Sequence, residues 1–192
     1  EPMRDLPPDP MDSDSARVLA VWNPLYFERP DGGSYAFHQY YLDYAGTGFR
    51  HQRIQGGFDF ADGRREPLRA MEQALTFDPV NRRLKGGEFR LTMGDGRQRI
   101  LRVRAIGDTG FHLGAGLYHG FEGKFHGSYR GRLALDGEYF ADCSMPGAVA
   151  LLNQFRDCLI VVEDTETGAT GWGNCQTYVT GAWPDFGLPM PG

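Results

Sequence analysis

The sequence predicts an all-β protein, an antiparallel barrel of about ten strands with one short helix. Three observations carry that expectation. Twenty-seven glycines and twelve prolines stand among 192 residues, a density of helix breakers that excludes a helical bundle. Asp-Gly recurs at Asp31-Gly32, Asp62-Gly63, Asp95-Gly96 and Asp136-Gly137, a pair favoured in two-residue hairpin loops, whose central positions need positive φ. Between the turns apolar residues alternate with polar ones, as Leu101, Val103 and Ala105 do against Arg102 and Arg104. Hydrophobic residues make up 41% and charged residues 23%, enough for a packed core. Closure into a barrel then follows, because closing a sheet removes its exposed edges.

Taken in order, Glu1–Ser15 holds four prolines and four aspartates and reads as a linker or surface arm. The barrel domain spans residues 16–182. Its strands are expected at Arg17–Asn23, Tyr35–Tyr44, Phe49–Gly56, Leu68–Phe77, Glu88–Met93, Gln98–Ile106, Ser128–Leu135, Tyr139–Phe140, Cys158–Asp164 and Trp172–Thr180. The helix is expected at Pro146–Arg156, with Pro146 at a first helical position and Val149, Leu152 and Phe155 at helical spacing. Residues 183–192, with Pro184, Pro189 and Pro191, form a Pro-rich tail. The chain starts at Glu1 with no charged-then-apolar leader; either a leader has been removed or the chain is a piece of a longer protein.

Several function classes are excluded or disfavoured at this level. A net charge of −5 gives little grip on a polyanion, so no nucleic-acid partner is expected. No apolar run approaches the roughly 20 residues of a spanning helix, so no transmembrane segment is expected. Cys143, Cys158 and Cys175 form an odd set without pairing spacing. They read as three reduced, mostly buried thiols in a reducing compartment, the cytoplasm favoured over the alternatives. Gly114-Ala-Gly116 lacks the Lys-Ser/Thr of a phosphate loop, and no Gly-x-Ser-x-Gly elbow occurs. No cofactor is expected. His119 and His126 with Glu122 match no compact ligand spacing, so no metal is expected either.

Two regions concentrate chemistry-bearing residues. The glycine-rich stretch Gly110–Arg132 carries His112, His119 and His126 with Tyr118, Glu122, Tyr129 and Arg130. Imidazoles there suit acid–base work near neutrality or structural hydrogen bonding. The second region is aromatic, with Tyr35, Phe37, Gln39, Tyr41 and Asp43 alternating against Ala36, His38, Tyr40, Leu42 and Tyr44. One face suits a cavity for an apolar ligand with hydroxyl handles, or a barrel core.

A set of local features adds a resemblance. Leu75–Leu84, Asp95-Gly96, the Tyr118-His119 to Gly131 stretch and Leu135–Glu138 follow one another. A helix-like segment then precedes Arg156-Asp157, and Gly168–Gly173 precedes the last strand. The order resembles the lipocalin-like superfamily that contains hydroxyneurosporene synthase (carotenoid 1,2-hydratase) and AttH-type proteins, and this chain resembles the second of that superfamily's two tandem barrels. The resemblance implies a lipocalin-like (calycin-type) barrel and cofactor-free hydratase, lyase or cyclase chemistry on isoprenoid or polyketide-like substrates. It also implies a shielded carboxylic acid as proton donor. The candidates are Glu122, Glu138 and Asp142, with His119, His126 and Tyr129 orienting water or substrate. The ligand-binding candidates are Tyr35, Phe37, His38, Tyr40, Tyr118, Arg130 and Trp172.

Three functions are therefore expected in turn. The first is a lipocalin-like module that binds an apolar ligand or packs with a second barrel domain or another protein chain. The second is an enzyme of the hydratase, lyase or cyclase kind. The third is a carbohydrate-binding β module that stacks sugars on Trp22, Trp172 and Trp183.

Overall fold

In the computed structural model the described residues are 17–46, 48–107, 111–112, 129, 131–132, 141–142, 145–146 and 155–188. Nine strands follow one another: β1 (Arg17–Glu28), β2 (Ser34–Gly46), β3 (Phe49–Phe60), β4 (Arg65–Phe77), β5 (Leu84–Met93), β6 (Gln98–Ala105), β7 (Phe111–His112), β8 (Phe155–Asp164) and β9 (Thr170–Thr180). Each pairs antiparallel with its neighbours, β1 pairs with β9 and β6 with β8, so β1–β6, β8 and β9 close a ring. The two-residue β7 takes up the edge of β8 where β6 leaves it. The closed antiparallel ring is consistent with a lipocalin-like barrel.

The barrel closes with eight strands, not about ten. The eight expected strands within the described residues each find a counterpart, several of them longer than expected; Tyr139–Phe140 and most of Ser128–Leu135 lie outside those residues, and the described Tyr129, Gly131 and Arg132 are not in a strand. Pairing of β6 with β8 closes the ring without a further strand between them. The expected helix at Pro146–Arg156 lies mostly outside the described residues, but Phe155 and Arg156 belong to β8. There the pairing of Phe155 with Tyr178 and Arg156 with Thr177 overrides the helical spacing.

The Asp-Gly signal marks hairpins at Asp31-Gly32, Asp62-Gly63 and Asp95-Gly96, with one correction, and Asp136-Gly137 lies outside the described residues. Arg29 N–H donates to Gly33 O and Gly32 N–H to Arg29 O, so the loop has three residues, Pro30-Asp31-Gly32. Only the glycine takes a positive φ, +85° at Gly32, +85° at Gly63 and +89° at Gly96. Each aspartate instead stays at an ordinary φ and accepts from the backbone N–H two residues on: Gly33, Arg64 and Arg97, each at 2.9 Å. This is the side-chain turn that aspartate favours, followed by a left-handed glycine.

Alternation places the core. Leu19, Val21, Leu25 and Phe27 of β1 point inward with Phe37 and Phe58, Phe89 and Leu101, and Ile160 and Val162. The Asp-Gly end is plugged. Tyr35 stacks on Phe27 with centroids 5.0 Å apart, and the Arg99 guanidinium lies 3.8 Å from the Phe58 ring centroid. Arg99 also donates to the buried Asp164, which accepts from Tyr35 and Thr167 Oγ1 (2.9 Å). The opposite end carries Arg82, whose guanidinium donates to Gly181 O at 2.8 Å. Beside it Trp183, Phe186 and Leu188, from the start of the expected tail, pack on the core, with Phe186 edge-on to Phe77.

Burial alone would raise the Asp164 carboxyl, but hydrogen bonds from Arg99 and Tyr35 outweigh it and hold the group below the ordinary carboxylate range. A depressed folded value contributes stability above the unfolded value, about 3.9, and loses it as pH falls through the folded one. Asp164→Asn leaves the buried Arg99 only its longer contacts to Glu166 (3.4 Å) and Glu66 (3.8 Å), a loss of at most about 3–5 kcal/mol. Urea midpoints of the two proteins should therefore differ most near neutrality and converge at acid pH.

Candidate functional site

The ring is not zipped all the way round. β3 and β4 share only the pairs Gly57–Pro67, Phe58–Glu66 and Asp59–Arg65, next to their hairpin. Pro67 has no N–H to donate, so the ladder stops where it stands. Just beyond it, the β4–β5 register shifts between Leu68 and Ala70, and this bulge turns β4 away from β3. From there β3 pairs with β2 alone and β4 with β5 alone. A seam results, and through it the inward-facing Arg50 and Gln52 of β3 reach solvent.

Two polar groups lie behind the seam. The first is a cluster on Asp43, which is itself buried. Arg50 grips the carboxylate through Nε (3.1 Å) and an Nη (2.7 Å), Gln52 Nε2 donates at 2.8 Å, and Tyr41 OH donates at 3.3 Å. Burial would raise the carboxyl, but the bonds from Arg50 and Gln52 win and hold it low. Burial and the neighbouring Asp43 charge push the Tyr41 hydroxyl up to about 12. Asp43 is thus a fixed anion and does not serve as a proton donor near neutrality.

The second group is a row of three buried amides, Asn23, Gln39 and Gln73, one each from β1, β2 and β4. Gln73 Nε2 donates to Gln39 Oε1 (3.3 Å) and Gln39 Nε2 donates to Asn23 Oδ1. On β3, Gly56 is the partner of Gln39 and puts no side chain between them. The bonds run one way, so Asn23 Nδ2 at one end and Gln73 Oε1 at the other have no partner. A buried donor or acceptor left unmade costs about 1–3 kcal/mol. Two such groups in one row are the arrangement that a ligand carrying both an acceptor and a donor would satisfy.

The sequence-predicted residues divide between the two faces. Tyr35 and Phe37 point inward and His38 and Tyr40 outward, as strand alternation requires, so the four do not line one pocket. The Tyr35 hydroxyl is engaged by Asp164 and Thr167, and burial helps push it up to about 12. His38 Nδ1 lies 3.3 Å from Asp59 on the outside. Trp172 is 41% exposed on the outer wall, beside Tyr26 at 50%, with Trp22 at 51% farther along β1 and paired with Tyr40. The three expected sugar platforms separate, because Trp183 is buried. Tyr129 and Asp142 are exposed. Tyr118, His119, Glu122, His126, Arg130 and Glu138 lie outside the described residues, as does Cys143.

Cys158 and Cys175 are free, buried and directly opposite on β8 and β9. Burial pushes the Cys158 thiol up to about 11, which removes thiolate chemistry near neutrality. No cluster of three metal-ligating side chains occurs among the described residues, and no helix there is long and apolar enough to cross a membrane. Sequence reasoning did not single out Asn23 or Gln73. Their signal was parity, because amides stand at inward positions of strands whose other inward residues are apolar. No family model, curated protein or solved structure matches the chain.

Sequence reasoning also passed over Asp157 as an acid. It pairs with Gln176, accepts from Asn174 Nδ2 at 2.8 Å, and is pushed up by burial despite that bond. Alternation puts it on the outer face with Leu159, away from the amide row. A raised folded value means stability held at low pH and lost as pH climbs from the unfolded value through the folded one. Asp157→Asn removes that loss, so thermal melts should show the variant gaining on the parent from acid to neutral pH, with little difference near pH ~3.

Proposed function

We propose that the chain is a lipocalin-like barrel module that binds an apolar small molecule of isoprenoid, lipid or pigment character through a hydroxyl seated on the amide row. The observation that carries this reading is the pair of orphaned atoms, Asn23 Nδ2 and Gln73 Oε1, whereas the other buried polar clusters, on Asp43 and on Asp164, are hydrogen-bonded within themselves. A ligand hydroxyl at the Gln73 end donates to the orphaned Oε1, and a second polar group or a water accepts from Asn23 Nδ2 at the other end, while the hydrocarbon lies against residues such as Ile54 and Met71 at the seam. The filled Asp-Gly end takes no part, since Phe27, Phe37 and Phe58 occupy it. Ligand pockets of this kind are mostly apolar with a few placed polar groups. The resemblance to the hydroxyneurosporene synthase superfamily supports the same ligand class. It supplies no acid at this row, because Asp43 is held ionised and Asp157 faces outward.

Retinol, followed by its own fluorescence, tests the reading against retinyl acetate, whose ester accepts but does not donate. Retinol should bind about tenfold more tightly, the equivalent of about 1.4 kcal/mol for one buried hydrogen bond. In an N23L/Q39L/Q73L variant the preference should vanish while the ligand-free protein gains about 1–3 kcal/mol, because its orphaned groups are gone. No retinol binding, together with no co-purified apolar molecule in native mass spectrometry, would overturn the proposal.

A further inference from the structure

The seam leaves a second demand that a small molecule in the interior does not meet. Beyond Gly57 and Pro67, the seam-facing backbone N–H and C=O groups of β3 and β4 have no strand partner among the described residues. Two such edges facing one another form a template for an added strand. We propose that this seam accepts an extended acidic peptide from another protein, which pairs with the free edges as a guest strand.

Charge selects the occupant. Arg53 and His51 stand exposed on the outer side of β3 and Arg69 at the β4 bulge, and no carboxylate among the described residues forms an ion pair with any of the three. The neighbouring acids are already engaged: Asp43 by Arg50, Asp59 by Arg65, Glu72 by Arg90. The rim is therefore cationic. That disfavours a second copy of this chain, because its own seam would bring the same cations together, and like charges brought opposite each other on strands are destabilising. An acidic strand meets the opposite condition.

Strand geometry then fixes the pattern of the guest. Side chains alternate between the two faces, so every second residue points inward toward Ile54 and Met71 and the others point out among Arg53, His51 and Arg69. The matching sequence alternates acidic and apolar residues. Seven residues reach about 23 Å at the strand rise, a length comparable with Phe49–Gly56.

Fluorescence anisotropy with a labelled seven-residue Glu/Val alternating peptide tests this on the full chain. Two matched peptides serve as controls, one with Lys for Glu and one with the Glu/Val sequence N-methylated at alternate residues. The Glu/Val peptide should bind, and each control should bind at least about tenfold more weakly, a difference of about 1.4 kcal/mol. An R53E/R69E variant, altered only at exposed positions, should prefer the Lys peptide. Amide hydrogen exchange should slow at 49–56 and 68–77 when the Glu/Val peptide is bound, with retinol binding in the R53E/R69E variant unchanged. Absence of Glu/Val binding overturns the proposal. So does equal binding of the N-methylated peptide, which would reduce the contact to charge alone.

Discussion

A closed sheet satisfies its backbone by giving every strand two neighbours, and the rest of this molecule depends on the one place where that rule is suspended. Pro67 cannot donate, and the bulge beyond it turns β4 outward, so the ladder between β3 and β4 ends after three pairs. Each ladder bond forgone is worth only about 0.5–1.5 kcal/mol net when water can take its place. At a solvent-reached seam that is tolerable. In the centre of a buried sheet it would not be. The seam is thus an affordable irregularity in position, and it is what brings Arg50, Gln52 and Ile54 to the surface although they occupy inward positions.

The two ends of the barrel handle buried charge differently. At the Asp-Gly end, Arg99 and Asp164 are sealed among Phe58 and Tyr35, and Tyr35 and Thr167 supply further hydrogen bonds to the carboxylate. Such a pair adds little over an apolar replacement of the same shape, yet breaking it is expensive. It therefore specifies one register for the strands meeting there. At the seam, Asp43 is buried but its partner Arg50 is 56% exposed. Water screens that pair and can substitute for part of it. One end is locked by desolvation, and the other stays adjustable.

Much of the architecture was legible in the residues. Glycine after aspartate marked three hairpins, and alternation put Leu101 and Val103 in the core. The turn length was missed by one residue, because an Asp side chain can close a turn on its own and so relieves aspartate of the positive φ. β1 was expected to stop at Asn23, before Pro24. It runs on to Glu28 because β1 stays paired with β2 throughout, while its pairing with β9 skips Asn23 and Pro24 and resumes in the same register at Leu25, so the missing Pro24 N–H falls in that gap. Gly173 makes that crossing feasible, since a Cβ there would lie 2.2 Å from Pro24 O. The amide row was less visible. Gln39 shared a face with Tyr35, Phe37 and Tyr41 in the alternation, but its bond to Gln73 joins residues 34 apart in sequence and arises only once β2 and β4 are brought to either side of a glycine.

Both unmet demands have a common origin. If β3 and β4 were zipped along their length, the β3 residues now open to solvent would be enclosed, and a core designed only for stability would then carry leucines at 23, 39 and 73. Instead the amides stand in one row with their bonds running one way, and that polarity matters. A row of mixed direction would present two donors or two acceptors at its ends. The observed direction leaves one of each. A hydroxyl donates to the Gln73 end, whereas a carboxylate offers no proton to Gln73 and would add its own desolvation cost. Selectivity for a neutral group on an apolar body therefore follows from hydrogen-bond direction, before any contact with the hydrocarbon is considered.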